Sequence, residues 1–176
     1  LTNSLKNLKR YPYIKDVSFE TSITNQLADL NINVEEETKT GNLLVAGTFN
    51  ADTGAGLAFG IEDKNIFGSG NSVSSNFTAN SEDLKFDINY IQYPLLNPNL
   101  TNTYSLFNQE YDYTSSFGYK ASKRGIGYFV NFKQSDTVSY GSGIEYESFK
   151  GHSAINNTST AISDNIGNFQ NYRVNF

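Results

Sequence analysis

From Thr40 onward, apolar residues alternate with small or polar ones in segments of about 9–12 residues, and clusters of Gly, Asn, Asp, Ser and Pro separate the segments. Leu43, Val45 and Phe49 share one parity of the first segment, with Gly47 between them. Leu57, Phe59 and Ile61 mark the second, and Val73 and Phe77 a weaker third. Leu84, Phe86, Ile88 and Tyr90 mark the fourth; Phe107, Tyr111 and Tyr113 the fifth; Ile126, Tyr128, Val130 and Phe132 the sixth. Val138, Tyr140, Ile144 and Tyr146 mark the seventh, and Tyr172 and Val174 begin an eighth. A period of two is the signature of a strand with unlike faces. The opposite parity is polar or small: Lys85, Asp87 and Asn89 in the fourth segment, and Ser139, Gly141, Gly143, Glu145 and Glu147 in the seventh.

A β-sandwich alternates in the same way, so the connections carry the next step. Phe67–Asn71, Leu95–Asn99 and Gln134–Asp136 read as tight turns, whereas Tyr113–Lys123 and Lys150–Phe169 read as long polar loops. Asn50–Gly54 and Asn80–Asp83 are short, so the alternation in loop length is partial. Short turns at one end and longer loops at the other fit a transmembrane barrel, with the apolar parity against lipid and the polar parity against a wet lumen. Closure removes the sheet edges that lipid cannot satisfy. The predicted fold class is mainly β: a partial transmembrane antiparallel β-barrel over residues 40–176, preceded by a partial α+β module over residues 1–39.

In that first module, Leu5, Leu8 and Tyr11 fall on one helical face, Asn3–Ser4 can cap it, and Lys6, Lys9 and Arg10 suit its C-terminal end. Pro12 ends the helix at or before Tyr11. Val17, Phe19 and Ile23 then alternate and can face the helix; Leu30, Ile32 and Val34 do the same after a connection at Asn25–Asp29. A helix and two strands bury too little to fold alone, so the rest of such a module is expected upstream. The Glu35–Glu37 run reads as a solvated strand end.

Composition narrows the chemistry. Lys+Arg is 13 and Asp+Glu 18, a formal charge of −5, with the cations scattered, which leaves no nucleic-acid footprint. Mean hydropathy is −0.47. The apolar runs Leu43–Gly47 and Leu57–Ile61 fall far short of the ~20 residues of a membrane helix. With no Cys and one His, His152, the chain offers no thiolate, no multi-His metal site and no implied cofactor. No catalytic constellation is visible, and the chain reads as a non-enzyme. Glu62–Asp63 read as rim charges and His152 as a surface loop residue. Gly68 and Gly70 read as hairpin glycines with positive φ, because a strand rather than a helix follows them. Tyr and Phe near strand ends suit interfacial girdles or a sandwich core. The chain opens at Leu1 and contains no Met, and is read as an excerpt of a longer protein.

Gly41–Gly54 followed by Leu57–Val73 resembles the outer-membrane assembly factor BamA family, where its last POTRA domain runs into the barrel. The Asn65-Ile66-Phe67-Gly68-Ser69-Gly70-Asn71 run matches that family's first turn, Tyr111-Asp112-Tyr113 resembles its fifth strand, and Leu5–Val17 resembles the last POTRA helix and following strand. Two stretches depart: Tyr11-Pro12-Tyr13-Ile14 stands where the family has Gly-Tyr-Phe, and Gln92-Tyr93-Pro94-Leu95 replaces acidic-Pro-Tyr. The resemblance implies a barrel of about 16 strands, of which this chain holds about eight. It also implies a bacterial outer-membrane location with the POTRA part in the periplasm. Phe67–Asn71, Leu95–Asn99 and Gln134–Asp136 are then periplasmic.

The function it implies is insertion of other outer-membrane proteins. The backbone of the first barrel strand, Asn42, Leu43, Leu44, Val45, Ala46, Gly47 and Thr48, offers unpaired groups to an incoming client strand. Gly68 and Gly70 shape the periplasmic hairpin. The implied partners are unfolded outer-membrane clients, accessory assembly lipoproteins and the lipid bilayer. Three alternatives stay open: a translocation-assembly or two-partner-secretion relative, a self-contained eight-stranded outer-membrane barrel that is structural or an enzyme, and a secreted β-sandwich adhesin.

Overall fold

The computed structural model describes residues 2–24, 27–50, 54–135, 137–153 and 166–176. It begins with α1 (Thr2–Leu8), β1 (Ile14–Thr24) and β2 (Leu27–Glu36), the two strands forming an antiparallel pair of their own. Then come β3 (Gly41–Asn50), β4 (Gly54–Asp63), β5 (Ser72–Ala79), β6 (Asp83–Gln92), β7 (Leu100–Tyr113), the four-residue α2 (Thr114–Phe117), β8 (Tyr119–Lys133), β9 (Ser139–Ser153) and β10 (Asn168–Asn175). These last eight strands form one sheet in the order β10-β9-β8-β7-β6-β5-β4-β3, every neighbour antiparallel. Every connection within it is therefore a hairpin between sequence neighbours, which is the up-and-down order of a barrel wall.

Residues directly opposite in an antiparallel ladder share a face, so the register follows each face across the sheet. One face runs Val45–Phe59–Phe77–Phe86, Ile61–Ser75–Ile88–Leu106–Ile126–Tyr146–Tyr172 and Tyr90–Tyr104–Tyr128–Ile144–Val174. The other carries Asn76, Asp87, Ser105, Gly127 and Glu145. The buried residues described in this sheet, Gly60, Ser72, Ala121, Gly143 and Glu147, all lie on the polar face, while Leu43, Val45, Leu57, Ile126 and Ile144 stand exposed on the apolar one. The polar face is thus the enclosed, lumenal side and the apolar face the outer wall. In water such a wall is an aggregation surface; against hydrocarbon it is solvated.

Glycines on the lumenal side let aromatic rings lie flat. A Cβ on Gly125 would be driven into the Tyr146 carbonyl and the Phe107 ring, and one on Gly143 into the Phe129 ring. The outer wall carries a tyrosine ladder, Tyr90 to Tyr104 to Tyr128, with ring centroids 6.2 and 5.0 Å apart. Such ring pairs add packing energy beyond simple area.

Three expectations for the eight-stranded sheet need correction. Tyr113–Lys123 is not a long loop: β7 runs to Tyr113, β8 starts at Tyr119, and only α2 and Gly118 (φ +74°) turn the chain. The pairs Tyr113↔Tyr119, Asp112↔Lys120 and Tyr111↔Ala121 hold the ladder there. Phe107, Tyr111 and Tyr113 face the lumen, Phe107 between Asp87 and Gly125 and Tyr111 between Asp83 and Ala121, and the outer apolar residues of that strand are Leu100, Tyr104 and Leu106. His152 lies on β9 opposite Lys120, exposed but not in a loop. The middle of the Lys150–Phe169 connection, and parts of those at Asn25–Asp29, Asn50–Gly54 and Gln134–Asp136, lie outside the described residues.

In the N-terminal pair, Val17↔Val34 and Phe19↔Ile32 share a face. Val17 is buried, but Phe19 and Ile23 are exposed, unlike the expectation that all three meet the helix. Seven helical residues span only about 10 Å and reach just the start of β1. Asn3 and Ser4 fall inside α1 rather than before it.

Candidate functional site

The candidate site starts from β3, the terminal strand of the sheet order. Its inner edge pairs with β4 from Gly41↔Asp63 to Asn50↔Gly54. Just before it, the Lys64 N–H donates to the Thr40 carbonyl at 2.9 Å, between directly opposite residues in the same register. In an antiparallel ladder, opposite residues alternate between pairs that exchange both bonds and pairs that exchange none. The even positions Asn42, Leu44, Ala46 and Thr48 therefore bond to β4. The odd positions Leu43, Val45 and Gly47 turn their N–H and C=O groups outward, to the edge that no described strand covers.

This division separates the seven residues singled out from sequence. All seven lie on β3, but three offer backbone groups and four already spend theirs on β4. The odd side chains project to the outer wall, where Leu43 and Val45 are exposed. Gly47 has nothing within 4 Å of an added Cβ, so it leaves an open notch at mid-strand. The even side chains look into the lumen, and Leu44 lies over Gly60, where a Cβ would stand 3.5 Å from that of Leu44. An exposed strand edge in hydrocarbon is costly unless a partner takes it up.

The second element is the turn between β4 and β5. Its glycines take left-handed backbone, Gly68 at φ +69° and Gly70 at φ +76°. Phe67 does so as well, at φ +53°, which sequence reasoning missed. Two asparagines hold the turn. The Gly70 N–H donates to Asn65 Oδ1 at 2.7 Å, and the Ile66 N–H to the Asn71 carbonyl at 2.9 Å. Asn71 Oδ1 accepts the Tyr93 N–H at 3.1 Å, which ties this turn to the one after β6. The repeated Asn of the motif is the signal that pointed there, since Asn side chains mimic backbone in turns.

The segment after α1 docks on this floor. Tyr11 is buried, its ring 6.5 Å from Tyr93 edge-on and 5.8 Å from Tyr13. Arg10 bonds Asn99 in the next turn. An added Cβ on Gly70 would stand 3.1 Å from the Tyr13 ring. Burial pushes the phenols of Tyr11 and Tyr13 above their ordinary range, and for Tyr13 the neighbouring Tyr11 and Glu36 add to it. The two stretches that depart from the family pattern in sequence thus meet in one contact. Gly70→Ala is expected to cost more than Gly68→Ala in urea unfolding. Both incur the left-handed penalty of about 1–2 kcal/mol, but only position 70 also displaces a ring, since Gly68 faces open space. Equal midpoint shifts would rule out the Tyr13 contact.

No family model matches the chain. A protein of Treponema pallidum (strain Nichols) named as an outer membrane protein assembly factor is 31% identical over 133 residues, 72% of this chain and 15% of its own length. Among solved structures, BamA from Haemophilus ducreyi lacking POTRA domains 1-3 matches with TM-score 0.68 and 17% identity, over 98% of this chain and 36% of that one. CdiB from Acinetobacter baumannii matches with TM-score 0.61 and 17% identity, over 90% of this chain and 33% of that one. The chain thus spans a minor part of each of these proteins. The structural matches speak for the fold alone.

Proposed function

We propose, for a chain whose resemblance to the BamA family of outer-membrane assembly factors is borne out in sequence and in fold, that β3 is the strand on which client strands are templated during insertion into the outer membrane. The observation that supports this reading is the edge itself: a ten-residue strand at the end of the sheet, with alternate backbone groups turned away from β4. A client strand adds by main-chain hydrogen bonds, which read no sequence, so one edge serves many clients. Each added strand becomes the new edge until the client closes on itself. No covalent step is part of this reading; burial of client apolar surface in the bilayer supplies the free energy. The N-terminal hairpin is read as the end of a periplasmic POTRA domain, which hands over clients or meets accessory lipoproteins.

The test is a cysteine scan along β3 in the full-length protein, with a client carrying a cysteine in its terminal strand. Because side chains of paired strands meet face to face, client cross-linking should proceed at every position from 42 to 48 with an alternating client register. A scan without register dependence, or with cross-links only from Gly68 or Gly70, would overturn templating at β3.

The match to CdiB supports a second reading, a related transporter that passes its substrate through the polar lumen. Substrate cross-links from the lumenal residues Ser105 and Gly127, with none from β3, would favour it.

A further inference from the structure

On the outer wall, the apolar face ends abruptly toward the rim opposite the N-terminal hairpin. The row Leu106–Ile126–Tyr146–Tyr172 is the last apolar one. The next row along the strands is Asn108–Arg124–Ser148–Gln170, and the one after it Glu110–Ser122–Lys150–Asn168. Rows on one face are two residues, about 7 Å, apart along the strand. Arg124 and Lys150 therefore stand just above the hydrocarbon boundary, at the level of lipid headgroups.

These two cations differ from the others around them. Lys120 pairs with Asp112 at 2.5 Å, Lys123 and Arg173 with Glu147 at 2.8 and 2.6 Å, and Lys85 with Asp83 at 3.1 Å. Among the described residues, Arg124 and Lys150 make no ion pair or side-chain hydrogen bond. The acid that shares their neighbourhood, Glu110, is diagonal to Arg124 on the adjacent strand, about 7–8 Å away, and two strands from Lys150 in its row, about 10 Å away. Both cations line one recess of about 630 Å³ together with Asn108, Ser148 and Gln170. That recess shares Leu106, Ile126 and Tyr146 with an apolar groove of about 710 Å³ beneath it, walled by Tyr104, Tyr128 and Val174. Two cations without ion pairs, facing a single acid, and neutral donors at the mouth of an apolar groove complement an amphiphile with an anionic head and an acyl tail.

We propose that this recess binds an anionic phospholipid, with Arg124 and Lys150 holding its phosphate and the tyrosine-walled groove taking an acyl chain. The proposal rests on reading the apolar face as the one against hydrocarbon. Arg124 supplies a planar fork suited to two phosphate oxygens, and Lys150 a point charge. A bound lipid here would fix the height of the wall in the bilayer at β7–β9, away from the β3 edge.

The test is native mass spectrometry of the full-length protein in dodecyl maltoside micelles with dioleoylphosphatidylglycerol or dioleoylphosphatidylcholine added. Arg124→Gln combined with Lys150→Gln should weaken retention of phosphatidylglycerol about tenfold to thirtyfold and leave phosphatidylcholine unchanged. Glu110→Gln should strengthen phosphatidylglycerol retention, and it carries the test if the double variant fails to fold. Equal loss of both lipids, or no loss of either, would overturn the headgroup assignment. Displacement of phosphatidylglycerol by millimolar inorganic phosphate would make the site one for free anions and also overturn it. Retention of both lipids without discrimination defeats this proposal alone. Absence of any lipid from the unaltered protein defeats the membrane reading with it.

Discussion

Val45→Pro is expected to lower client insertion about a hundredfold while the barrel itself still folds. Val45 is an odd position of β3, so its N–H points away from β4 and proline there removes no bond of the existing ladder. What it removes is a donor at the centre of the edge offered to the client. The opposing client carbonyl is left unpaired in hydrocarbon, at a cost of several kcal/mol, and about 2.7 kcal/mol already corresponds to a hundredfold. Ala46→Pro, one residue on, should behave in the opposite way: it deletes a bond to β4 and impairs folding of the barrel. The measurements are heat-modifiable mobility of the barrel and of a client assembled in proteoliposomes. Normal client assembly by the Val45→Pro protein would defeat the edge mechanism, and equal folding defects at 45 and 46 would defeat the register argument.

The second large effect is expected at Glu147. Its side chain is only 4% exposed on the lumenal face. It accepts from Lys123 at 2.8 Å, Arg173 at 2.6 Å and Asn171 at 3.0 Å, so one carboxylate fastens β8, β9 and β10 together. Glu147→Ala leaves two cations without it. Breaking a fully buried pair costs about 3–5 kcal/mol. Lys123 and Arg173 keep access to water, and Arg173 also reaches Glu145 at 3.0 Å, so we expect about 2–3 kcal/mol. Urea unfolding of the full-length barrel in micelles measures it, with Glu145→Gln as the milder control. A midpoint shift no larger than that control's would mean the network contributes no rigidity.

The strands were legible in sequence wherever a membrane imposes unlike faces. Leu84 to Tyr90 and Ile126 to Phe132 alternate because every second residue meets hydrocarbon and its neighbours do not. Past the last apolar row that contrast reverses: Asn108, Glu110 and Asp112 lie outside and Phe107, Tyr111 and Tyr113 inside, and the polar start of β8 at Tyr119–Lys123 reads as loop in sequence. Phe107 lies on the lumenal wall, against its sequence pattern, for a related reason. A lumenal ring seated over Gly125 is as apolar in composition as a lipid-facing one, and only the register shows which wall it lines. For the candidate site, the family resemblance points to the stretch Asn42–Thr48, and the structure places it on β3, the terminal strand of the sheet order. The sequence could not separate odd from even backbone groups, because hydrogen-bond phase is a property of the pairing with β4 rather than of either strand alone.

The buried Tyr11 and the bond from Arg10 to Asn99 have a mechanical corollary. The arm formed by β1 and β2 is seated through Tyr13 on the β4–β5 turn, and through Tyr93 and Asn99 on the β6–β7 turn, while only the short stretch between Glu36 and Gly41 links it along the chain to β3. A sideways pull on the arm is therefore borne by strands set back from the open margin. The seat of the arm and the open margin at β3 thus lie on different parts of the wall.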